Sequence, residues 1–166
     1  MGITTLDSCL KFYQVNKKEF ISLSFFVIIK IGDDKMDCLF CKIIAGEIPC
    51  YKLYEDDYVL AFLDINPDSN GHTLIIPKKH FQDLDDIDLE TLTHINEASK
   101  KIKKRLEEKL HCDGISLLQN NGCVQEVKHY HVHLKPYYKD NISIKLIKND
   151  SAIDDVENIY KKLKED

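Results

Sequence analysis

The chain has no surplus of positive charge: 23 Lys and Arg are outnumbered by 28 Asp and Glu, for a formal net charge of −5. A general nucleic-acid binder needs a basic footprint that displaces counterions from the phosphate backbone, so that class is excluded, while a small anion held at a local site is not. An apolar run long enough to span a bilayer, about 20 residues, is also lacking. The stretch Phe20–Ile29 reaches roughly half that length. Lys17 and Lys18 precede it as in a signal peptide, but Lys30-Ile31-Gly32-Asp33-Asp34 follows where a small-residue cleavage site would stand. Neither membrane insertion nor secretion is expected. Internal repeats and low-complexity segments are missing too, which excludes solenoids and arrays.

What is there is 166 residues, 43% hydrophobic and 31% charged, the profile of one compact globular domain with its own core. Such a core does not need disulfide staples, so the six cysteines are compatible with a reducing, cytoplasmic setting. Residues 1–35 show neither period nor motif, and a coherent pattern starts at Met36. Met36 is therefore expected to be the start of the native domain, with residues 1–35 an upstream extension or a poorly ordered arm, and 36–166 a single domain.

The pattern then reads in order. Lys42 to Pro49 is a short helix-like segment closed by Gly46. Strands are expected at Tyr51–Glu55 and Tyr58–Asp64, joined by a tight turn at Asp56-Asp57, and again at 72–77 after the turn-rich Asn66–Gly71. Leu92, Ile95, Ala98, Ile102, Leu106 and Leu110 recur every three or four residues, a long amphipathic helix capped by Asp88. Ile115–Gln119 is the next strand, Ile142–Ile147 a further candidate, and a closing helix is expected from about Ala152 with Ser151 as its cap. This mixture argues for an α+β fold, a mostly antiparallel sheet with the long helix on one face and the histidines at the opposite end.

The chemistry concentrates in His129-Tyr130-His131-Val132-His133-Leu134-Lys135-Pro136. A strand sends alternate side chains to one face, so three imidazoles stand in a row about 6.6 Å apart while Tyr130, Val132 and Leu134 face the core. A lone histidine on a strand is ordinarily a half-solvated polar residue. Three in alternation instead offer nucleophilic attack on phosphorus, proton transfer or metal binding near neutral pH. Upstream, Cys38-Leu39-Phe40-Cys41 has the spacing of half a structural zinc site, for which His80 and His129 are candidate partners; the alternative is a pair of free thiols.

The run 38–49, the segments 62–67 and 71–80, and above all Gln125–Pro136 resemble the histidine triad (HIT) superfamily in its Hint-like, zinc-carrying bacterial branch. The resemblance covers nearly all of residues 36–136. It implies a homodimer of small α+β subunits that binds nucleotides and hydrolyses nucleoside phosphoramidates or related nucleotidyl compounds. The nucleophile of such proteins falls on His131, with His133 contacting the phosphate and assisting proton traffic, and the zinc ligands fall on Cys38, Cys41, His80 and His129. Four protein ligands leave no open position, so the Zn2+ would be structural.

The resemblance also implies that Leu39, Phe40, Ile43, Phe62 and Ile65 line a base slot, that Asp64 accepts from the ribose hydroxyls, and that Asn120 and Gln125 lie near the phosphate and leaving group. The plain alternative for the apolar set is core. Glu126 departs from the family, where a hydroxyl residue is common; an ionised carboxylate cannot donate to phosphate. His72 fits a role behind the imidazole row, and His94 and His111 fit solvated or capping roles. Two other functions compete, a dinucleoside polyphosphate hydrolase and a nucleotide-binding or partner-binding module with incidental turnover.

Overall fold

A computed structural model describes residues 38–139 and 155–164. The extension 1–35, the start at Met36, the strand candidate Ile142–Ile147 and the cap Ser151 lie outside the described residues. Within them the order is α1 (Leu39–Ile44), β1 (Lys52–Glu55), β2 (Val59–Leu63), β3 (Thr73–Pro77), α2 (Leu89–Leu110), β4 (Gly114–Gln119), a 3-10 turn (Gly122–Val124), β5 (Val132–Tyr137) and α3 (Val156–Lys164). The five strands form one sheet in the order β1-β2-β3-β5-β4, and every neighbouring pair is antiparallel.

Period-two alternation sorts the strand residues into two cores. Val59, Ala61, Ile75, Val132 and Leu134 face α2, which returns Ile95, Ala98, Ile102 and Leu106. Leu60, Phe62, Leu74 and Ile76 face the other way and are covered by Phe40 from α1, with Ile43 and Ile44 beside it. The central strands β2 and β3 are buried on both sides, so Val59–Leu63 and Leu74–Pro77 read as apolar runs rather than alternating ones.

Local chemistry sets the boundaries. Asp88 caps α2 by accepting from the Thr91 amide at 2.8 Å, and His111 closes it in a left-handed conformation at φ 51°. Asp56 Oδ1 accepts from both the Tyr58 and Val59 amides at 2.8 Å, which makes the expected turn between β1 and β2. Gly71 has φ +84°, a conformation that favours glycine, and a Cβ there would also push against the Leu110 side chain at 2.5 Å.

Four expectations need correction. The first helix starts at Leu39 rather than Lys42, because the Cys38 carbonyl already accepts from the Lys42 amide. The last helix starts at Val156, where Asp155 Oδ1 accepts from the Glu157 and Asn158 amides and acts as the cap. The histidines lie on the sheet face opposite α2, not at one end: His133 is in register with Leu74, a residue of the second core.

The fourth correction concerns the histidine segment, which is not all strand. Pairing with β3 runs only from Thr73↔Leu134 to Ile75↔Val132, and β5 begins at Val132. The next partners would include Pro77, which has no N–H to donate to a ladder. Residues 129–131 turn instead toward the segment after β3, with the Tyr130 amide donating to the Phe81 carbonyl at 2.6 Å. Tyr130, Val132 and Leu134 face the core as expected.

Candidate active site and metal centre

His131 is buried at 4% exposure, held edge-on against Phe40 with ring centroids 5.3 Å apart. Its Nδ1 lies 2.6 Å from the His129 carbonyl, which only accepts, so Nδ1 carries the proton and Nε2 carries a lone pair. Burial pushes its pKa below the ordinary imidazole value, which keeps the ring neutral at neutral pH. A neutral ring with a fixed tautomer and a free nitrogen is a competent nucleophile.

His133 stands beside it, ring centroids 4.9 Å apart. Burial, reinforced by the neighbouring His131, pushes His133 down to about 3. Its Nδ1 is 2.9 Å from His72 Nε2. The Asp68 amide donates to His72 Nδ1 at 3.2 Å, so His72 carries its proton on Nε2 and gives it to His133 Nδ1. The remaining proton of neutral His133 is therefore on Nε2, a buried nitrogen with no protein partner. That is a hydrogen-bond donor waiting for an acceptor beside the free nitrogen of His131. His72 thus sits behind the row, in contact with His133.

The first triad histidine does something different. His129 is completely buried and donates from Nε2 to the Pro77 carbonyl at 2.9 Å, which leaves Nδ1 as the free nitrogen. That Nδ1 lies 3.5 Å from Cys38 Sγ and 3.6 Å from Cys41 Sγ, while His80 Nδ1 lies 3.3 Å from Cys41 Sγ. All four ligand atoms fall within 4.8 Å of one another. A tetrahedral zinc ion with Zn–S near 2.3 Å and Zn–N near 2.0 Å requires S···N edges of about 3.5 Å. The donor set therefore fits Zn2+ in composition and dimensions, and the Pro77 carbonyl orients His129 from behind as partners of metal-bound histidines do. Burial pushes His129 to about 4, so the ring is in its metal-binding neutral form.

The expected nucleotide contacts are brought together only in part. Phe40 and Phe62 meet edge-to-face at 6.0 Å and are buried, Ile43 packs against them, and Leu39 and Ile65 are exposed. The plain reading of Phe40 and Phe62 as core is therefore correct whatever else they do. Asp64 is half-buried, with Oδ2 3.6 Å from His72 Nδ1. A cavity of about 470 Å³ opens beside Asp64 and His72 on the α2 side, walled by Leu53, Leu63, Leu106 and Leu110; none of the five base-slot residues lines it.

Gln125 is buried, and its amide nitrogen is committed to the Gln82 carbonyl at 2.6 Å and the His129 carbonyl at 3.4 Å, bracing the histidine segment. Only its Oε1 remains without a partner. Asn120 is half-buried at the end of β4, where its carbonyl accepts from Gln119. His94 stacks on Tyr58 at 3.9 Å, and His111 caps α2. Sequence reasoning missed Asp68 and Lys135, whose ion pair flanks His72; a lysine in the strand directly after the triad was the available signal.

Comparison with known proteins agrees with this geometry. The HIT domain family model matches residues 45–140. The adenosine 5'-monophosphoramidase of Saccharomyces cerevisiae is 50% identical over 101 residues, 60% of this chain and 61% of that protein. A HIT family protein of Bacillus anthracis superposes with a TM-score of 0.68 at 41% identity, covering 76% of this chain and 92% of its own. A zinc-bound histidine triad family protein of Mycobacterium smegmatis superposes with a TM-score of 0.63 at 37% identity, covering 70% and 86%.

Proposed function

Because this chain belongs to the HIT domain family, we propose that it is a nucleotide hydrolase that cleaves nucleoside phosphoramidates through a covalent nucleotidyl-histidine. The observation that carries the reading is the pinned tautomer of His131. With Nδ1 donating to the His129 carbonyl, Nε2 is the attacking atom, and rotation of the ring away from the site would break a buried hydrogen bond.

In the first step Nε2 of His131 bonds to the α-phosphorus as the P–N bond breaks, and the amine leaves with a proton taken from solvent. Water then attacks the same phosphorus and gives up a proton to solvent, and the bond to His131 breaks to release the nucleotide and free the ring. Splitting one displacement into two is the advantage of the covalent route. His133 donates from Nε2 to a phosphate oxygen as negative charge grows on it. Burial pushes the His133 pKa down to about 3, which favours the neutral ring that donates to phosphate.

Zn2+ held by Cys38, Cys41, His80 and His129 would act as a cross-link that ties α1 to the base of the catalytic segment. Asp64, half-buried beside His72, suits acceptance from ribose hydroxyls, and exposed Leu39 and Ile65 would flank the base on the rim of the second core. A homodimer has a surface to form on: β4 is an edge strand, and Leu117 and Leu118 are exposed on opposite faces of it. Among the described residues no helix is long and apolar enough to cross a membrane.

The test is turnover of adenosine phosphoramidate beside a diadenosine polyphosphate with one zinc-loaded preparation. Preferred cleavage of the phosphoramidate, with an acid-labile adenylyl group trapped on His131, is the expected result. Preference for the diadenosine compound favours the dinucleoside hydrolase, and nucleotide binding without turnover of either favours a binding module.

A further inference from the structure

His72 Nδ1 is claimed from two sides. The Asp68 amide donates to it at 3.2 Å, while the Asp64 carboxylate, which can only accept, stands 3.6 Å away. The two claims demand opposite tautomers. If the amide holds Nδ1, His72 is protonated on Nε2, and His133 is left with its proton on Nε2, facing the site. If Asp64 captures a proton on Nδ1, His72 Nε2 becomes an acceptor. His133 must then donate from Nδ1, and a bare lone pair faces the phosphate, where it repels rather than binds.

What tips the balance is the position of the Asp68 backbone in the turn between β2 and β3. That turn is anchored by Lys135, whose ammonium pairs with Asp68 Oδ2 from the middle of β5. Lys135 is only 15% exposed, an unusual position for a lysine unless its charge is used. The pair holds the Asp68 carboxyl below its ordinary range.

We propose that Lys135 is a positioning residue for phosphate recognition: by fixing Asp68 it selects the His72 tautomer that makes His133 a donor. The inference rests on the reading of His133 as the phosphate contact, but its central element, the tautomer of two rings, is observable without any substrate.

The experiment is long-range proton–nitrogen NMR of the histidine rings in zinc-loaded, 15N-labelled protein, with steady-state kinetics on the same samples. The parent should show both His72 and His133 protonated on Nε2. Lys135→Met should move both rings toward the Nδ1-protonated form and lower kcat by about 100-fold, the loss expected for a mis-aimed donor, with KM changed by less than about threefold. Lys135→Arg should restore both readouts by restoring the pair. Asp68→Asn, which keeps the backbone amide but removes the charge, should shift the tautomers in the same direction and covers the case in which Lys135→Met does not fold. Unchanged tautomers in Lys135→Met and Asp68→Asn overturn the inference, as does an Arg variant no better than the Met one. If the parent turns over no phosphoramidate, the tautomer shift still decides this inference and the proposed reaction fails separately.

Discussion

Loss of the Cys38–Cys41–His80–His129 centre should be felt first as loss of stability. A zinc ion bridging Cys38 to His129 links positions 91 residues apart, and Cys41 to His80 links positions 39 apart. Closing loops of these sizes removes about 4 kcal/mol or somewhat more of chain entropy each from the unfolded state, and the two share an ion, so they do not add. Taking about 4 kcal/mol for the centre as a whole, and about 4 °C per kcal/mol for a domain of this size, the melting temperature should fall by about 15 °C on chelation. Differential scanning calorimetry of zinc-loaded and chelator-treated protein reads this directly, with metal content measured on the same samples. Cys38→Ser should lose at least half of that interval, whereas Cys50→Ala, a partly buried thiol outside the cluster, should stay within about 3 °C of the parent. A chain purified with well under one zinc, or a Cys38→Ser variant that melts with the parent, refutes the cross-link.

Three further outcomes follow from the geometry. His131→Ala should lower phosphoramidate turnover by about 10⁴-fold or more while nucleotide binding, followed by fluorescence titration, survives; turnover within about tenfold of the parent in a contaminant-free preparation removes the covalent step. Gly71→Ala should destabilise by about 2 kcal/mol in urea unfolding, since it combines a strained φ of +84° with a methyl 2.5 Å from Leu110; an unchanged midpoint would show that the α2 end yields freely. For pH, burial lowers His72 and takes His133 from 6.5 to about 3, so below pH 6.5 the unfolded chain binds protons that the folded chain refuses. Stability contributed by these rings is therefore complete above about pH 7 and declines steadily as pH falls from 6.5 toward 3. His133→Gln should flatten that slope in urea titrations, and an equally steep slope in the variant would refute the assignment.

Much of this molecule was legible because period and turn chemistry are local properties. The 3.6-residue recurrence of Ile95, Ala98, Ile102 and Leu106, with Asp88 as cap, located α2 almost to the residue. The spacing of Cys38 and Cys41 and the alternation of His129, His131 and His133 named the two clusters. What stayed illegible depends on contacts made across the fold. Nothing near His129 in sequence announces that Pro77, 52 positions away, ends the ladder and takes the His129 ring as its donor. Likewise nothing local announces that the Gln125 amide nitrogen donates to the Gln82 carbonyl, or that Lys135 meets Asp68 across the sheet.

The order of strands also bears on how the chain becomes active during folding. β1, β2 and β3 are consecutive antiparallel neighbours joined by connections of three residues (56–58) and nine residues (64–72), whereas β3 meets β5 only after α2 and β4 have been traversed. Pairings that close long loops are slow to form. The His72–His133 contact joins residues 61 apart and the Cys38–His129 contact residues 91 apart, so both belong to that slow class. A nascent chain halted before residue 129 holds the sequence of its first three strands and its long helix, yet it lacks the proposed nucleophile His131, the proposed phosphate donor His133 and one of the four candidate metal ligands. On the proposed reading, chemical competence therefore arrives at the close of folding, with the docking of the six-residue strand β5 and of residues 129–131 that lead into it.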